Sequence, residues 1–296
     1  MSAFLLFALA VATFNVDARE AGARSSAPQQ RQGLLWKIDK PGVPPSYLFG
    51  TIHLSDERVT RVPEAVEKAL ERSKSYGMEM IVDDSARAYF LHSMQAAEGQ
   101  SARDLLDPEL FQRAAALMRE YGVPEEATAR MKPWGVLLTL LVPKPGSTPV
   151  LDFRLYEEAT RQGKRIYPLE SIEQQVAVFD GMRLPMQIAL LESAIENHAE
   201  LTRVVADSIE AYLARDLERL WELNERYARD SGEAARYHKD FVERVLYRRN
   251  RHMAERISRE LARGDTFVAL GALHLYGDRG VLRLLEERGY RVRRVY

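Results

Sequence analysis

The 296-residue chain contains no cysteine. That excludes a thiol nucleophile, a cysteine-rich zinc site and a disulfide framework. It leaves the compartment open, because exported proteins can lack disulfides. Charge of one sign is missing as well: 42 basic residues against 43 acidic ones give a net charge of −1. Nothing in that balance draws the chain to nucleic acid or to an anionic bilayer, and no nucleic-acid partner is expected. No apolar run reaches the roughly 20 residues needed to span a bilayer; residues 3–14 and 134–142 come nearest. Several signatures of catalysis are absent. There is no Gly-x-Ser-x-Gly elbow, no phosphate loop, no His-Glu-x-x-His, and no Gly-x-Gly-x-x-Gly after a strand-like segment.

What is present, 46% apolar and 29% charged residues, reads as a globular chain behind an export signal. Residues 3–14 fit the apolar part of a signal peptide, and Val16-Asp17-Ala18 offers small residues for cleavage after Ala18. The expected layout is a signal peptide over 1–18, a polar, disordered linker over 19–32 and a single domain over 33–296. The protein is then exported, to a periplasm or the extracellular space. A basic stretch ahead of the apolar run is lacking, so an uncleaved membrane anchor is the alternative. The mature chain has no stable membrane span.

Within the domain, residues 34–38 and 47–53 read as a hairpin around Lys40-Pro41-Gly42-Val43-Pro44-Pro45. Pro63 opens a helix with an apolar stripe at Val66, Ala69 and Leu70, and residues 75–82 form the next strand. Residues 85–142 are mainly helical, broken near Pro108, Pro124 and Pro133. A helix over 151–162 leads to a strand over 164–169, and Ser171 to Gln174 have the form of a capping box. Residues 185–263 are almost continuously helical apart from Asp230-Ser231-Gly232. A very apolar strand over 266–274, a helix over 280–288 and a strand over 290–296 close the chain. The fold class is therefore α/β: a central mixed sheet assembled from the N- and C-terminal segments, with a large, mainly helical insertion over 85–263.

Two strand ends share one local grammar, Gly50-Thr51-Ile52-His53 and Gly271-Ala272-Leu273-His274. Ligands of open α/β sheets sit beyond the carboxyl ends of the strands, where these histidines would project. The glycine three residues earlier lets backbone or ligand approach closely. Of the six histidines, His92, His198, His238 and His252 fall in polar helical surroundings and read as surface residues. Glu79 interrupts the apolar run of the 75–82 strand, and a carboxylate there needs a partner or a metal. His53, Glu79 and His274 make a set that leaves a metal position open for water. Glu170 reads either as a further ligand, partner or general base, or as charge complementing a helix N-terminus; Asp56 has the same ambiguity. Arg249 and Asn250, in a basic helical run, are candidates for binding substrate, with Arg249 also able to stabilise an oxyanion. The locally basic Arg291, Arg293 and Arg294 read as a solvated strand.

Taken in order, these segments resemble the TraB/GumN family. The likeness runs through Leu35-Trp36-Lys37-Ile38, Tyr47 to His53, Val62-Pro63-Glu64-Ala65-Val66, Leu151-Asp152, Leu169-Glu170-Ser171 with Gln174-Gln175, Arg249 to Met253, and Gly271 to Leu275 with Gly277 and Gly280. The resemblance implies a fold like that of erythromycin esterases and the haem-binding ChaN group, and kinship with the Tiki metal-dependent peptidases. It implies that His53, His274 and Glu79 form the active centre and that Arg249 belongs to it. Two departures stand out. Leu273 precedes the second histidine where a small residue is usual, and Ile81 stands where a second acidic residue often follows Glu79. The expectation is a metal-dependent hydrolase, a peptidase acting on exported peptides or proteins. His53, Glu79 and His274 would bind zinc, manganese or cobalt; Glu79, Glu170 and Arg249 would be catalytic, and Arg249 and Asn250 would bind substrate. The alternative is a non-catalytic peptide- or haem-binding protein of the same fold.

Overall fold

The computed structural model describes residues 31–144, 149–229 and 232–296. The expected signal peptide, and the linker up to residue 30, lie outside the described residues. Six strands, β1 (Leu35–Lys40), β2 (Val43–Thr51), β3 (Ser75–Met78), β4 (Arg165–Pro168), β5 (Thr266–Gly271) and β6 (Arg291–Arg294), form one sheet in the order β4-β3-β5-β2-β1-β6. The ladders joining β4, β3, β5 and β2 are parallel, whereas β1 is antiparallel to both β2 and β6. The sheet is mixed, as the sequence suggests; β1, β2, β3, β5 and β6 come from the two ends of the chain, whereas β4 comes from within the segment expected as an insertion.

The central position of β5 follows from its composition. Phe267 to Leu270 are buried on both faces, as a strand covered by helices on two sides requires. The Phe267 ring packs against Phe49 of β2 at 6.3 Å and Tyr76 of β3 at 6.1 Å, tying the three strands together. The hairpin between β1 and β2 closes on Pro41-Gly42, where Gly42 takes φ +78, a region open to glycine at no steric cost. Edge strand β6 carries exposed Arg291, Arg293 and Arg294.

Among the described residues, the chain between β3 and β5 is mainly helical apart from β4 and the connecting loops. Pro108 and Pro133 stand at the first turn of helices Pro108–Glu120 and Pro133–Leu140, and Pro124 immediately precedes Glu125–Thr128, so each proline marks a break. Ser171 starts helix Ile172–Asp180 with both bonds of a capping box. The helical part has its own apolar core, including Trp134, Phe179 and Phe241. The most apolar stretch, Pro133–Leu140, is consumed there, and no helix among the described residues is long and apolar enough to cross a membrane.

Three expectations need correction. The strand expected over 75–82 stops at Met78, so Glu79 lies just past the strand rather than inside it. The strand expected over 266–274 stops at Gly271 and gives way to a 3₁₀ turn, Ala272–His274. On the β3 side the Glu79 carboxylate accepts the Gly271 N–H at 2.6 Å, taking a backbone donor that would otherwise continue the ladder between β3 and β5. His238, expected at the surface, is 4% exposed, packed beside the Glu225 carboxylate at the start of helix His238–Val242.

Candidate active site

Each parallel strand delivers a polar side chain at its carboxyl end. Along that edge come Glu170 after β4, Glu79 after β3, Gly271 and His274 at and beyond the end of β5, and His53 after β2. The backbone extends the order beyond the strands, since Leu169 and Glu170 donate to the carbonyls of Met78 and Glu79 at 2.8 Å each. The structure thus brings His53, Glu79, His274 and Glu170 to one crevice. Helix Arg248–Leu261 adds Arg249 and Asn250: its buried positions are Arg249, Asn250, Met253, Ala254, Ile257 and Leu261, a helical stripe whose first turn faces the site. Arg248 and Arg251 fall on the exposed face of that basic run. Asp56 stands apart, capping the short helix Glu57–Thr60.

Glu79 is the hub. Its Oε1 lies 3.8 Å from His53 Nε2 and 4.0 Å from His274 Nε2. Its Oε2 accepts from Arg249 Nη2 at 2.6 Å. Burial opposes ionisation, but Arg249, the two histidines and the Gly271 N–H hold the carboxyl well below the usual carboxylate range. Arg249, only 4% exposed, also grips Glu170 through Nε and Nη2 at 2.9 and 2.7 Å, and donates from Nη1 to the Val245 carbonyl at 3.2 Å. Glu170 Oε2 accepts in addition from Gln175 at 2.7 Å. A guanidinium shared by two buried carboxylates is held well above its ordinary pKa by both, against the cost of burial.

The outer nitrogens of both histidines are anchored. Asp152 Oδ2 accepts from His53 Nδ1 at 2.8 Å, and Asp152 Oδ1 accepts from Thr51 Oγ1 at 2.6 Å. Asn250 Nδ2 donates to the Arg279 carbonyl at 2.8 Å, which turns its Oδ1 toward His274 Nδ1, 2.5 Å away. An acceptor at Nδ1 makes Nδ1 the protonated nitrogen of a neutral ring, so in each neutral ring the Nε2 lone pair faces Glu79. Burial pulls His53 down, but the Asp152 carboxylate and then Glu79 overcome it and raise the ring to about 9. Burial pulls His274 down to about 3; Glu79 pulls the other way, offset by Arg249 and His53.

Two imidazole lone pairs and a carboxylate facing one another need a cation between them, a proton or a metal. Their outer nitrogens are fixed in the way metal-bound histidines are fixed. The spacing is open: among the described residues, no three His, Cys, Asp or Glu side chains are gathered into a ready-made metal cluster. Gly271 keeps the space clear, since a Cβ there would lie 3.3 Å from Glu79 Oε1, 3.5 Å from His274 Cδ2 and 3.7 Å from His53 Nε2. Gly50 acts differently. A Cβ there would lie 2.7 Å from Leu275 and 3.1 Å from the Ala272 backbone, so Gly50 lets the turn after β5 seat on β2.

Asn250 is fully buried, and its two amide atoms are engaged by the Arg279 carbonyl and His274. Arg249 binds both Glu170 and Glu79. Asp152 entered the sequence comparison only as part of the Leu151-Asp152 likeness and was given no role there. Its signal was there: in helix Leu151–Arg161 the buried stripe is Leu151, Asp152, Leu155 and Ala159, which puts a carboxylate on an apolar face.

The family model described as TraB/PrgY/gumN matches residues 34–294. The chain belongs to this family. Among its curated relatives, metalloprotease TIKI2 of Danio rerio is 26% identical over 93% of this chain and 64% of that protein. Metalloprotease TIKI1 of Homo sapiens is 25% identical over 90% of this chain and 63% of that protein. The chain thus spans a little under two thirds of the length of these relatives. A protein named YbaP from Shigella flexneri, described as uncharacterized, is 22% identical over 84% of this chain and 90% of its own length. No solved structure matches. Members of the family that carry the name metalloprotease therefore align with nearly all of this chain, at low identity.

Proposed function

We propose that the protein is a metal-dependent hydrolase of peptide or protein substrates, in which His53, Glu79 and His274 hold a divalent ion such as zinc, manganese or cobalt. One observation carries the reading: two histidines, each anchored at Nδ1, aim Nε2 at the same carboxylate oxygen. The names of the relatives support the reaction class, and the apolar segment at 3–14 supports export to a periplasm or the extracellular space.

A divalent ion at this position polarises a carbonyl and lets water act as a nucleophile near neutral pH. The chain's own groups have distinct tasks. Asp152 and Asn250 hold the two rings. Arg249 keeps Glu79 ionised and fixes its direction, and Glu170 and Gln175 fix Arg249 in turn. Of the two glutamates expected to handle a proton, Glu79 faces the crevice, whereas Glu170 is 3% exposed and engaged at both oxygens. Proton handling therefore falls to Glu79.

The test is metal analysis of the purified protein beside His53→Ala and His274→Ala. Stoichiometric metal in the parent and its loss from both variants is the expected result. A metal-free parent, or variants that keep their metal, overturns the proposal. A Soret band on haem titration that vanishes in the same variants would mark a haem-binding protein instead.

A further inference from the structure

A cavity of ≈ 240 Å³ shares Arg249 and Glu170 with the site but is lined by none of His53, Glu79 or His274. One wall is apolar and small, Ala177 and Val178 on helix Ile172–Asp180. The facing wall carries Arg244 and Arg248. Its volume is below the roughly 300–1,000 Å³ of pockets that enclose whole small molecules, and suits a single side chain or a chain end.

Each of the two arginines has a carboxylate beside its Nε. Arg244 uses Nε on Asp240 Oδ2 at 3.3 Å, and Arg248 turns Nε toward Glu243 Oε1 at 3.9 Å. Among the described residues no acceptor is paired with the Nη groups of either. Glu243 does not neutralise Arg248, because it also binds Arg251 at 2.8 Å and Arg279 at 2.5 Å. The π turn Glu243–Tyr247 carries Arg244 and ends at Arg248, whose N–H is bonded to the Glu243 carbonyl; such turns recur at functional sites. On the shared side Glu170 is turned to Arg249, which holds both of its oxygens. One guanidinium held through Nε and a second beside a shared carboxylate, both with Nη groups open, suit a planar oxyanion.

We infer that this cavity binds a carboxylate of the peptide substrate, an acidic side chain or the C-terminus, in the Arg244 and Arg248 forks, one guanidinium away from Glu79. The inference names a substrate class for the hydrolase proposed above. Its test measures binding and not turnover. Three capped alanine peptides serve as probes: one with an internal glutamate, one with glutamine in its place, and one with a free C-terminal carboxylate. Each is titrated calorimetrically into metal-loaded and chelator-treated protein.

An acidic probe should bind at least about tenfold more tightly than the glutamine peptide in both preparations. The stronger of the two acidic probes identifies the source of the carboxylate. Arg248→Glu, a reversal at an exposed position that leaves the core untouched, and Arg244→Gln should each abolish that preference. Equal binding of acidic and neutral probes, or an acid preference that survives Arg248→Glu, overturns the inference. An acid preference in protein that takes up no metal when metal is supplied would instead overturn the metal-dependent reading and leave the cavity assignment standing.

Discussion

The two Gly-x-x-His segments are alike in sequence and share Glu79, but differ in what holds each outer nitrogen. His53 leans on a carboxylate, Asp152, which stands in the first turn of helix Leu151–Arg161, where the helix dipole favours negative charge. His274 leans on a neutral amide, Asn250, fixed by a backbone carbonyl. The consequence is a pair of similarly buried rings that titrate in opposite directions, one raised to about 9 and the other lowered to about 3. The glycines diverge too: Gly50 serves packing and Gly271 serves access. A repeated motif therefore builds two different arms, one able to hold a proton or a cation through charge, the other presenting a neutral donor.

The severest way to disturb this pair is to remove the group on which both depend. Arg249→Met leaves Glu79 and Glu170 buried without their shared cation, and breaking such a pair typically costs about 3–5 kcal/mol. Urea unfolding of the metal-free protein should show a loss of that size, and both histidines should lose their common target. An unchanged midpoint would mean that the guanidinium does not hold the two carboxylates.

A milder change makes the arms alike. Asp152→Asn gives His53 the kind of partner His274 has. Loss of an outer partner of this type usually lowers metal affinity about 10–100-fold. In metal-stripped protein, imidazole ¹⁵N shifts should show the His53 titration falling from about 9, since Asp152 is the chief group raising it. The sign is fixed: a ring raised above the unfolded value of 6.5 contributes stability that is full below that pH and fades as pH rises through about 9. The stability gap between parent and variant should follow the same course. Asn250→Asp should move His274 the other way, upward. A His53 titration unmoved by Asp152→Asn would remove the asymmetry.

How much of this could be read from the chain alone depended on the kind of signal. The apolar run at Phe267 to Leu270 and the glycine-ended strands declare a sheet with chemistry at one edge, because burial on both faces leaves a continuous apolar record. Glu79 declared itself by breaking such a run. Arg249 and Asn250 were found as site candidates, but their roles were not legible. A basic stretch hides which of its residues faces inward, and only the tertiary structure shows that both are engaged by protein groups. Asp152 was given no role because an acidic residue in a first helical turn has a ready local explanation, one that does hold for Asp56. The strand ends were overrun for a related reason: an amide taken by a distant carboxylate, as Gly271 gives its N–H to Glu79, leaves no trace in local sequence.

The smallest change separates the glycines. Gly271 has φ −53 and ψ 134, backbone any residue adopts, so Gly271→Ala should fold with a stability change within about 1 kcal/mol. Its new methyl group stands 3.3 Å from Glu79 Oε1, 3.7 Å from His53 Nε2 and 3.5 Å from the His274 ring, in the space a metal would use, and metal affinity should fall about tenfold, or 1.4 kcal/mol. Gly50→Ala meets Leu275 and the Ala272 backbone instead, and should destabilise the fold by about 1–3 kcal/mol through overpacking. Paired melting and metal-titration curves decide the matter. If Gly271→Ala lost stability and kept its affinity, the two glycines would share one structural role, and the space between His53, Glu79 and His274 would not be where the metal sits.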